Sequence, residues 1–303
     1  MSEAWQQLKR TTPWWLRIAA KIALSRLPLP YQFWKRLRLF EHGDMDDPEK
    51  ALRTFIIHAR TAGIFDGARL KIRPGEDFGF LELGPGDTLF TAFIANVLGA
   101  TRSWLVDSGA FAAREVGAYQ RLGDFLRAQG YEAPSFDPES DIHERLRQVH
   151  GAYLTESVCS LKQIPDSSVD FCFSNAVLEH VRKSEFEALV VESRRIVKPG
   201  GVCVHRVDLK DHLGGGLNNL RFSETIWEHP LFQSSGFYTN RIRFTEMISL
   251  FQQTGFQCDV PRVARWERLP IKRDALAERF RSMPDSELTV SGFDAVLRRR
   301  GDD

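Results

Sequence analysis

The first chemical question in this chain is set by two glycines and two acids. Residues 79–88 read GFLELGPGDT, an apolar run that ends in Gly84, Pro85 and Gly86 and is followed by Asp87. Glycines directly after a strand let the backbone turn sharply and approach a ligand, while the next helix offers unpaired N–H groups and the positive end of its dipole. A dinucleotide fingerprint needs a third glycine three residues on, where Leu89 stands. Asp87 would also meet a pyrophosphate with like charge, so the turn suits a ligand that is neutral or cationic at that point. Asp107 lies 21 residues beyond Gly86, where an acid at a strand end accepts from two ribose hydroxyls. Glycine turn and ribose acid together imply a nucleoside. A second polar concentration, HRVDLKDHLGGGLNNLRFSE at 205–224, brings His205, Asp208, Asp211, His212, Asn218, Asn219 and Arg221 into one glycine-loosened stretch, a dense hydrogen-bonding surface for a polar substrate.

The elements that must position these residues alternate in type from residue 78 onward, the pattern of a parallel sheet covered by helices on both faces. FGFLEL (78–83), SWLVDS (103–108), YLTES (153–157), VDFCFSN (169–175) and VCVHRVD (202–208) read as strands 1 to 5. Strand 6 follows from QCDVPRVARW, and FDAVLRR (293–299) reads as a short last strand. The intervening helices fall at 88–99, 117–130, 186–197 and 243–256, and YEAPSFDPESD reads as an insertion or lid. We expect an N-terminal extension over 1–65, a catalytic domain over 66–303, and an acceptor-side insertion at about 205–242.

At this point E-L-G-P-G-D after a strand, L-V-D-S ending the next, I-P-D-S-S-V-D-F-C-F-S-N-A-V-L-E-H-V at 164–181 and R-I-V-K-P-G-G at 195–201 carry a resemblance. The chain resembles the class I S-adenosylmethionine-dependent methyltransferases, in particular their small-molecule, type-11-like branch, from about residue 78 to 260. The resemblance implies a doubly wound, mostly parallel seven-stranded sheet with its last strand antiparallel, and S-adenosylmethionine as cofactor. It implies that Glu82 and the backbone of Gly84, Pro85 and Gly86 face the methionine part, that Asp107 holds the ribose, and that Ser108 sits near the adenine edge. Counting back from Ile164, it puts Ser160 and Leu161 at the adenine amino group, and Ser174 and Asn175 beneath the sulfonium. In relatives the LEH sequence mainly shapes the wall near the cofactor, so His180 is read as a wall residue or, alternatively, as a base.

Methyl transfer to a hydroxyl needs an aligned nucleophile and a group to take its proton. His212 is the first candidate base, since an unperturbed imidazole titrates near working pH, with Asp208 or Asp211 available to orient it. A solvent-facing loop is the plainer alternative, and a metal held by Asp208, Asp211 and His212 is a third, without a spacing signature behind it. Phe237, Tyr238, Asn240, Arg241 and Arg243 form a second cluster that would cover an acceptor or grip an anion, unless its arginines are simply solvated.

Composition narrows the classes. A net charge of +1 over 303 residues gives no general pull toward nucleic acid, and no Asn/Asp-Pro-Pro-Tyr-type sequence follows strand 4. The charge is uneven, however. Residues 1–40 hold eight Lys/Arg against one acid, leaving −6 for the remainder. Within them WWLRIAAKIALSRL (14–27) reads as a basic, tryptophan-rich amphipathic helix. It either lies at a membrane surface, with contact through residues 10–40, or docks on the core. Cys159, Cys172, Cys203 and Cys258 form no CxxC pair, and no secretory signal or membrane-spanning stretch is evident. We therefore expect a cytoplasmic enzyme, peripherally membrane-associated if the helix lies on lipid, that methylates a hydroxyl of a small molecule such as a sugar or lipid-linked glycan. A non-catalytic cofactor-binding scaffold, an N- or C-methyltransferase of a small metabolite and a nicotinamide oxidoreductase are the rival readings.

Overall fold

The computed structural model describes residues 13–25, 46–72, 76–112, 115–135 and 140–300. The YQFWKRLRLF segment, the first half of EHGDMDDPEK and part of the expected lid lie outside them. The chain enters through α1 (Trp14–Ser25) and α2 (Pro48–Thr61). Asp47 caps α2, accepting from the Glu49 N–H, and Pro48 fills the first turn, where its missing donor costs nothing. Then follow β1 (Gly79–Leu83), α3 (Phe90–Val97), β2 (Arg102–Val106), α4 (Val116–Ala128), α5 (Ile142–Gln148), β3 (Gly151–Leu154) and the short α6 (Val158–Leu161). After β4 (Val169–Asn175) come α7 (Lys183–Ile196), β5 (Val197–Asp208), α8 (Glu224–Trp227), α9 (Pro230–Gln233), α10 (Phe244–Gln253) and β6 (Phe256–Arg265). Two short helices, α11 (Glu278–Arg281) and α12 (Asp285–Leu288), lead into β7 (Val290–Arg299).

The seven strands form one sheet in the order β3-β2-β1-β4-β5-β7-β6. The first five are mutually parallel, and β7 pairs antiparallel with both β5 and β6. This is the expected class I arrangement, with its last strand antiparallel. Parallel order forces the C-terminal ends of β1 to β5 onto one edge, the edge at which open α/β sheets bind ligands.

Strand alternation sorts side chains onto two faces. Phe80, Phe171, Phe173, Val202 and Val204 meet α2, α3 and α4 on one side. Leu81, Leu83, Cys172 and Cys203 meet α6, α7 and α10 on the other. Phe55 of α2 is fully buried among Phe80, Phe171 and Phe173, with ring centroids 5.1, 5.9 and 5.9 Å away. Such aromatic pairs add about 0.5–1.5 kcal/mol each to area burial. The α2 helix thus packs in the same hydrophobic cluster as the sheet.

A feature the sequence reading passed over lies between β6 and β7. Residues 266–289 fold into α11, α12 and a 3-10 turn whose Ile271, Leu276, Phe280 and Leu288 pack on Leu217 and Leu220 of the acceptor-side insertion. The Ala277 N–H donates to Leu220 O at 2.9 Å. Two insertions thus make one cap beside the strand ends. Replacing Phe55 by Ala should cost about 3–5 kcal/mol of folding stability in equilibrium urea unfolding, and a cost below about 1 kcal/mol would detach α2 from the core.

Candidate active site

Gly84 follows β1 at φ +70° and Gly86 lies at φ +69°, a region L side chains rarely adopt. A Cβ added at Gly84 would come within 2.4 Å of Val177 Cγ2. The Gly84 N–H donates to Val106 O at 2.8 Å, fastening the turn to the end of β2. Pro85 and Gly86 are buried in it. From there the Gly86 N–H donates to Asp107 Oδ2 at 3.2 Å and the Ser108 N–H to Oδ1 at 2.7 Å. Both carboxylate oxygens are aimed by backbone, and each keeps lone-pair capacity for a hydroxyl. Burial raises Asp107 to about 6, against the pull of these donors.

Glu82 is buried behind the turn and accepts a short hydrogen bond from the Thr91 hydroxyl of α3. Burial pushes its pKa up to about 8; the Thr91 bond opposes the rise and the Asp107 charge adds to it. Asp87 is buried at the start of α3 as well. Asp87 and Asp107 beside one glycine turn suit a ligand that brings positive charge, as a sulfonium nucleoside with an amino-acid tail does, and disfavour a pyrophosphate, while Glu82, kept protonated by burial, adds no charge at neutral pH.

The adenine expectation rests on Ser160 and Leu161, through a hydroxyl or a backbone contact. Ser160 and Leu161 are both fully buried. Ser160 Oγ accepts the Glu156 N–H at 2.8 Å, and Leu161 packs with Leu81 and Leu83 while its carbonyl accepts from Arg195 at 2.8 Å. They are internal because α6 coils the chain inward after β3. Glu156 and Ser157 follow the end of β3 by two and three residues. The Ser157 N–H donates to Asp107 O at 2.9 Å from a left-handed backbone at φ +52°, and Glu156 is exposed. An acid directly after strand 3 was visible in the sequence, four residues before the position that counting reached.

The Ser174 side chain also faces the interior. Its hydroxyl is fully buried and bonds His205 Nδ1 at 2.8 Å on the α7 and α10 side of the sheet. Asn175, one residue on, is exposed at the strand end. Sheet register also sets Cys172 opposite Cys203, so that these two and His205 come within 4.8 Å of one another in the core, a proximity that sequence spacing concealed.

At the end of β5 the rings of His180 and His212 stack, centroids 4.7 Å apart and planes 17° from parallel. His180 Nδ1 lies 2.9 Å from Tyr238 O. A carbonyl only accepts, so Nδ1 carries the proton and Nε2 is the basic nitrogen of neutral His180. Asp208 is engaged by Lys210, through its N–H at 2.9 Å and its Nζ at 3.3 Å. Asp211 accepts from the N–H groups of Leu213, Gly215 and Asn218 and from Asn218 Nδ2. It closes the 211–218 loop, and a carboxylate so filled with donors is not a metal ligand in waiting. Sequence reasoning missed Glu179, which is buried and accepts the Asp208 N–H at 3.3 Å. Burial pushes it up to about 8, and the charge of Asp208 adds.

The second cluster is structural rather than anion-gripping or solvated. Asn240 Nδ2 donates to Leu178 O and Val181 O, fastening the LEH turn. Arg241 is buried, bonds Phe222 O at 2.6 Å and Glu224 at 2.7 Å, and lies over the rings of Trp227 and Phe280. The two terminal nitrogens of Arg243 donate to the carbonyls of Leu209, Glu287, Leu288 and Val290. Together they tie both insertions to the sheet.

Residues 117–205 match the family model described as a methyltransferase domain. No curated protein matches the chain. Among solved structures, phosphoethanolamine N-methyltransferase 2 of Haemonchus contortus is similar at 12% identity over 82% of this chain and 53% of its own, with a TM-score of 0.45. This chain thus spans about half of that protein. YcgJ of Bacillus subtilis is similar at 14% identity over 82% and 99%, TM-score 0.43. The arsenic(III) S-adenosylmethionine methyltransferase of Chlamydomonas reinhardtii is similar at 15% over 82% and 71%, TM-score 0.43. Likenesses this distant assign no acceptor. The matched stretch, under a third of the chain, begins beyond the glycine turn and Asp107, whose reading as a nucleoside site rests on their geometry alone.

Glu82 supplies a pH test of this site. Its folded pKa of about 8 exceeds the ordinary 4.5, so the native state binds more protons between those values. The stability it contributes is complete below about 4.5 and is lost as pH rises toward 8. Glu82→Gln should therefore lose less stability than the wild type between about pH 5 and pH 8.5 in urea unfolding, by on the order of a few kcal/mol. Equal losses would mean Glu82 is ionised throughout.

Proposed function

We propose that this methyltransferase transfers a methyl group from S-adenosylmethionine to a hydroxyl of a small polar molecule, a sugar or lipid-linked glycan, with His212 taking the hydroxyl proton. The observation that supports a proton acceptor here is the stacked His180–His212 pair. It stands beyond the C-terminal end of β5, on the same sheet edge as the glycine turn and Asp107.

When bound, S-adenosylmethionine supplies a methyl carbon on a sulfonium, an electrophile that needs no further activation. The chain's own part is to hold, align and deprotonate. Asp107 accepts the two ribose hydroxyls while Gly86 and Ser108 keep its oxygens in place. The backbone from Gly84 to Gly86 and the acid Glu82 face the methionine portion, and Glu156 and Ser157 flank the adenine side. With the donor bound, the acceptor oxygen would bond the methyl carbon as its C–S bond breaks, the electron pair staying on sulfur in a neutral thioether. His212 takes the proton, and the tautomer fixed in its neighbour His180 by Tyr238 O holds that ring in register. The two insertions exclude water from this edge, through Leu213, Leu217 and Leu220 beneath the cap.

Two variants separate the roles. Asp107→Ala should weaken S-adenosylhomocysteine binding by about 10- to 100-fold, the size of lost hydrogen bonds to a charged acceptor. His212→Asn should leave that affinity within about twofold while cutting labelled-methyl transfer to hydroxyl acceptors by about 100-fold or more. Unchanged affinity in the first variant refutes the ribose role. Unchanged transfer in the second refutes the base.

A further inference from the structure

We propose that the outward face of α1 docks on the surface of an anionic lipid bilayer. The helix has two apolar faces. Trp14, Ile18 and Ile22, spaced four apart, turn inward and pack with Leu213, Phe222, Trp227, Phe232, Phe237 and Tyr238. Trp14 meets Phe222 edge-on at 5.9 Å and lies under the Arg221 guanidinium at 4.9 Å. Docking on the protein thus uses one stripe, which is the expectation that the helix packs on the core.

A second stripe is uncovered. Trp15 is 57% exposed and Leu16 46%, and Ala19 and Ala23, four and eight residues beyond Trp15, continue its side of the helix and are exposed as well. A helix that packs one face on protein and shows the other to water carries polar residues outward; this one carries tryptophan, leucine and two alanines. Further exposed apolar side chains stand on the helices that pack beneath α1. Ile226 of α8 and Leu231 of α9 are 48% and 38% exposed, each next to a residue, Trp227 or Phe232, that grips the inner face of α1. Of the seven large apolar side chains exposed among the described residues, four therefore stand on these three neighbouring helices.

Charge selects the occupant. Residues 1–40 carry eight Lys/Arg against one acid while the remaining chain sums to −6, so the segment bearing this face is opposite in sign to the rest of the protein. A second copy would present the same positive segment to it. An anionic bilayer offers negative charge worth about 1 kcal/mol per nearby Lys or Arg and an interface that tryptophan favours. A helix of 12 residues spans about 18 Å and would lie flat with Trp15 and Leu16 in the headgroup boundary and the small Ala19 and Ala23 letting the helix approach closely. No helix of the described residues is long and apolar enough to cross a membrane, so the contact is superficial.

The position of α1 gives this contact a use. Its inner face rests on Leu213, adjacent to His212, and on Phe222 and Arg221 of the same insertion. Docking would hold the acceptor-side loop against the bilayer and favour an acceptor anchored in it, a consequence that rests on the proposed methyl transfer, whereas the docking itself does not.

Vesicle flotation tests it with the full-length protein. On vesicles of phosphatidylcholine with about 30% phosphatidylglycerol, the wild type should float at low salt and far less on phosphatidylcholine alone or at about 1 M salt, where screening is nearly complete. The variant Trp15→Ser/Leu16→Ser should bind at least about tenfold less, with melting temperature and S-adenosylhomocysteine affinity unchanged. Those two readouts distinguish loss of docking from loss of the cofactor fold, and Leu16→Ser alone gives the same direction should the double variant be unstable. A wild type that stays at the bottom overturns the proposal. So does a variant that floats equally, or a wild-type dimer dissolved by the same substitutions without vesicle binding, which would assign the face to a second copy.

Discussion

The Asp107 carboxylate, pinned by the N–H groups of Gly86 and Ser108, is the constraint on which the rest of the site depends. It exists only because two left-handed glycines reverse the chain between β1 and α3, and because parallel register sets the end of β2 beside that turn. Val177, packed where a Gly84 side chain would be, ties the same turn to the end of β4. Three strand ends are thus locked around one carboxylate before any ligand arrives, which is the preorganisation that nucleoside binding needs. The electrostatics agree with the geometry, for Asp87 and Asp107 set carboxyl groups where a cationic nucleoside would bring compensating charge.

A second set of contacts fixes the acceptor side. Arg241 and Arg243, both buried, donate from their terminal nitrogens to carbonyls and to Glu224, and so join the insertion after β5 to the one before β7. Burial pushes Arg243 down only to about 10, so it remains charged at neutral pH, stabilised by a ring of carbonyl dipoles. Asp211 performs the matching task within the loop. These residues look like ligand-binding groups in the sequence because strong donors and acceptors are what a glycine-loosened loop needs to hold any one shape.

The sheet was legible because parallel strands buried on both faces read as short apolar runs, and VDFCFSN coincides with β4 to the residue. The glycine turn and Asp107 were legible for a different reason, since their spacing follows from the length of one βαβ unit. The burial of the Ser160, Leu161 and Ser174 side chains was not legible, because counting along a chain cannot register the turn of a four-residue helix or which face of a strand a residue takes. The cap over 266–289 escaped because each of its helices is a single turn, too short to show periodicity. Glu179 escaped because its burial comes from packing between distant segments, Asp208 and Asn240, and not from its neighbours in sequence.

The central claim is that this edge binds a sulfonium nucleoside, and isothermal titration of the wild-type protein with S-adenosylmethionine against reduced nicotinamide dinucleotide tests it most directly. The account predicts one site of roughly micromolar affinity for S-adenosylmethionine, about −8 kcal/mol, and no measurable heat with the dinucleotide. Binding of the dinucleotide alone, or of neither ligand to folded protein up to about 1 mM, would contradict it.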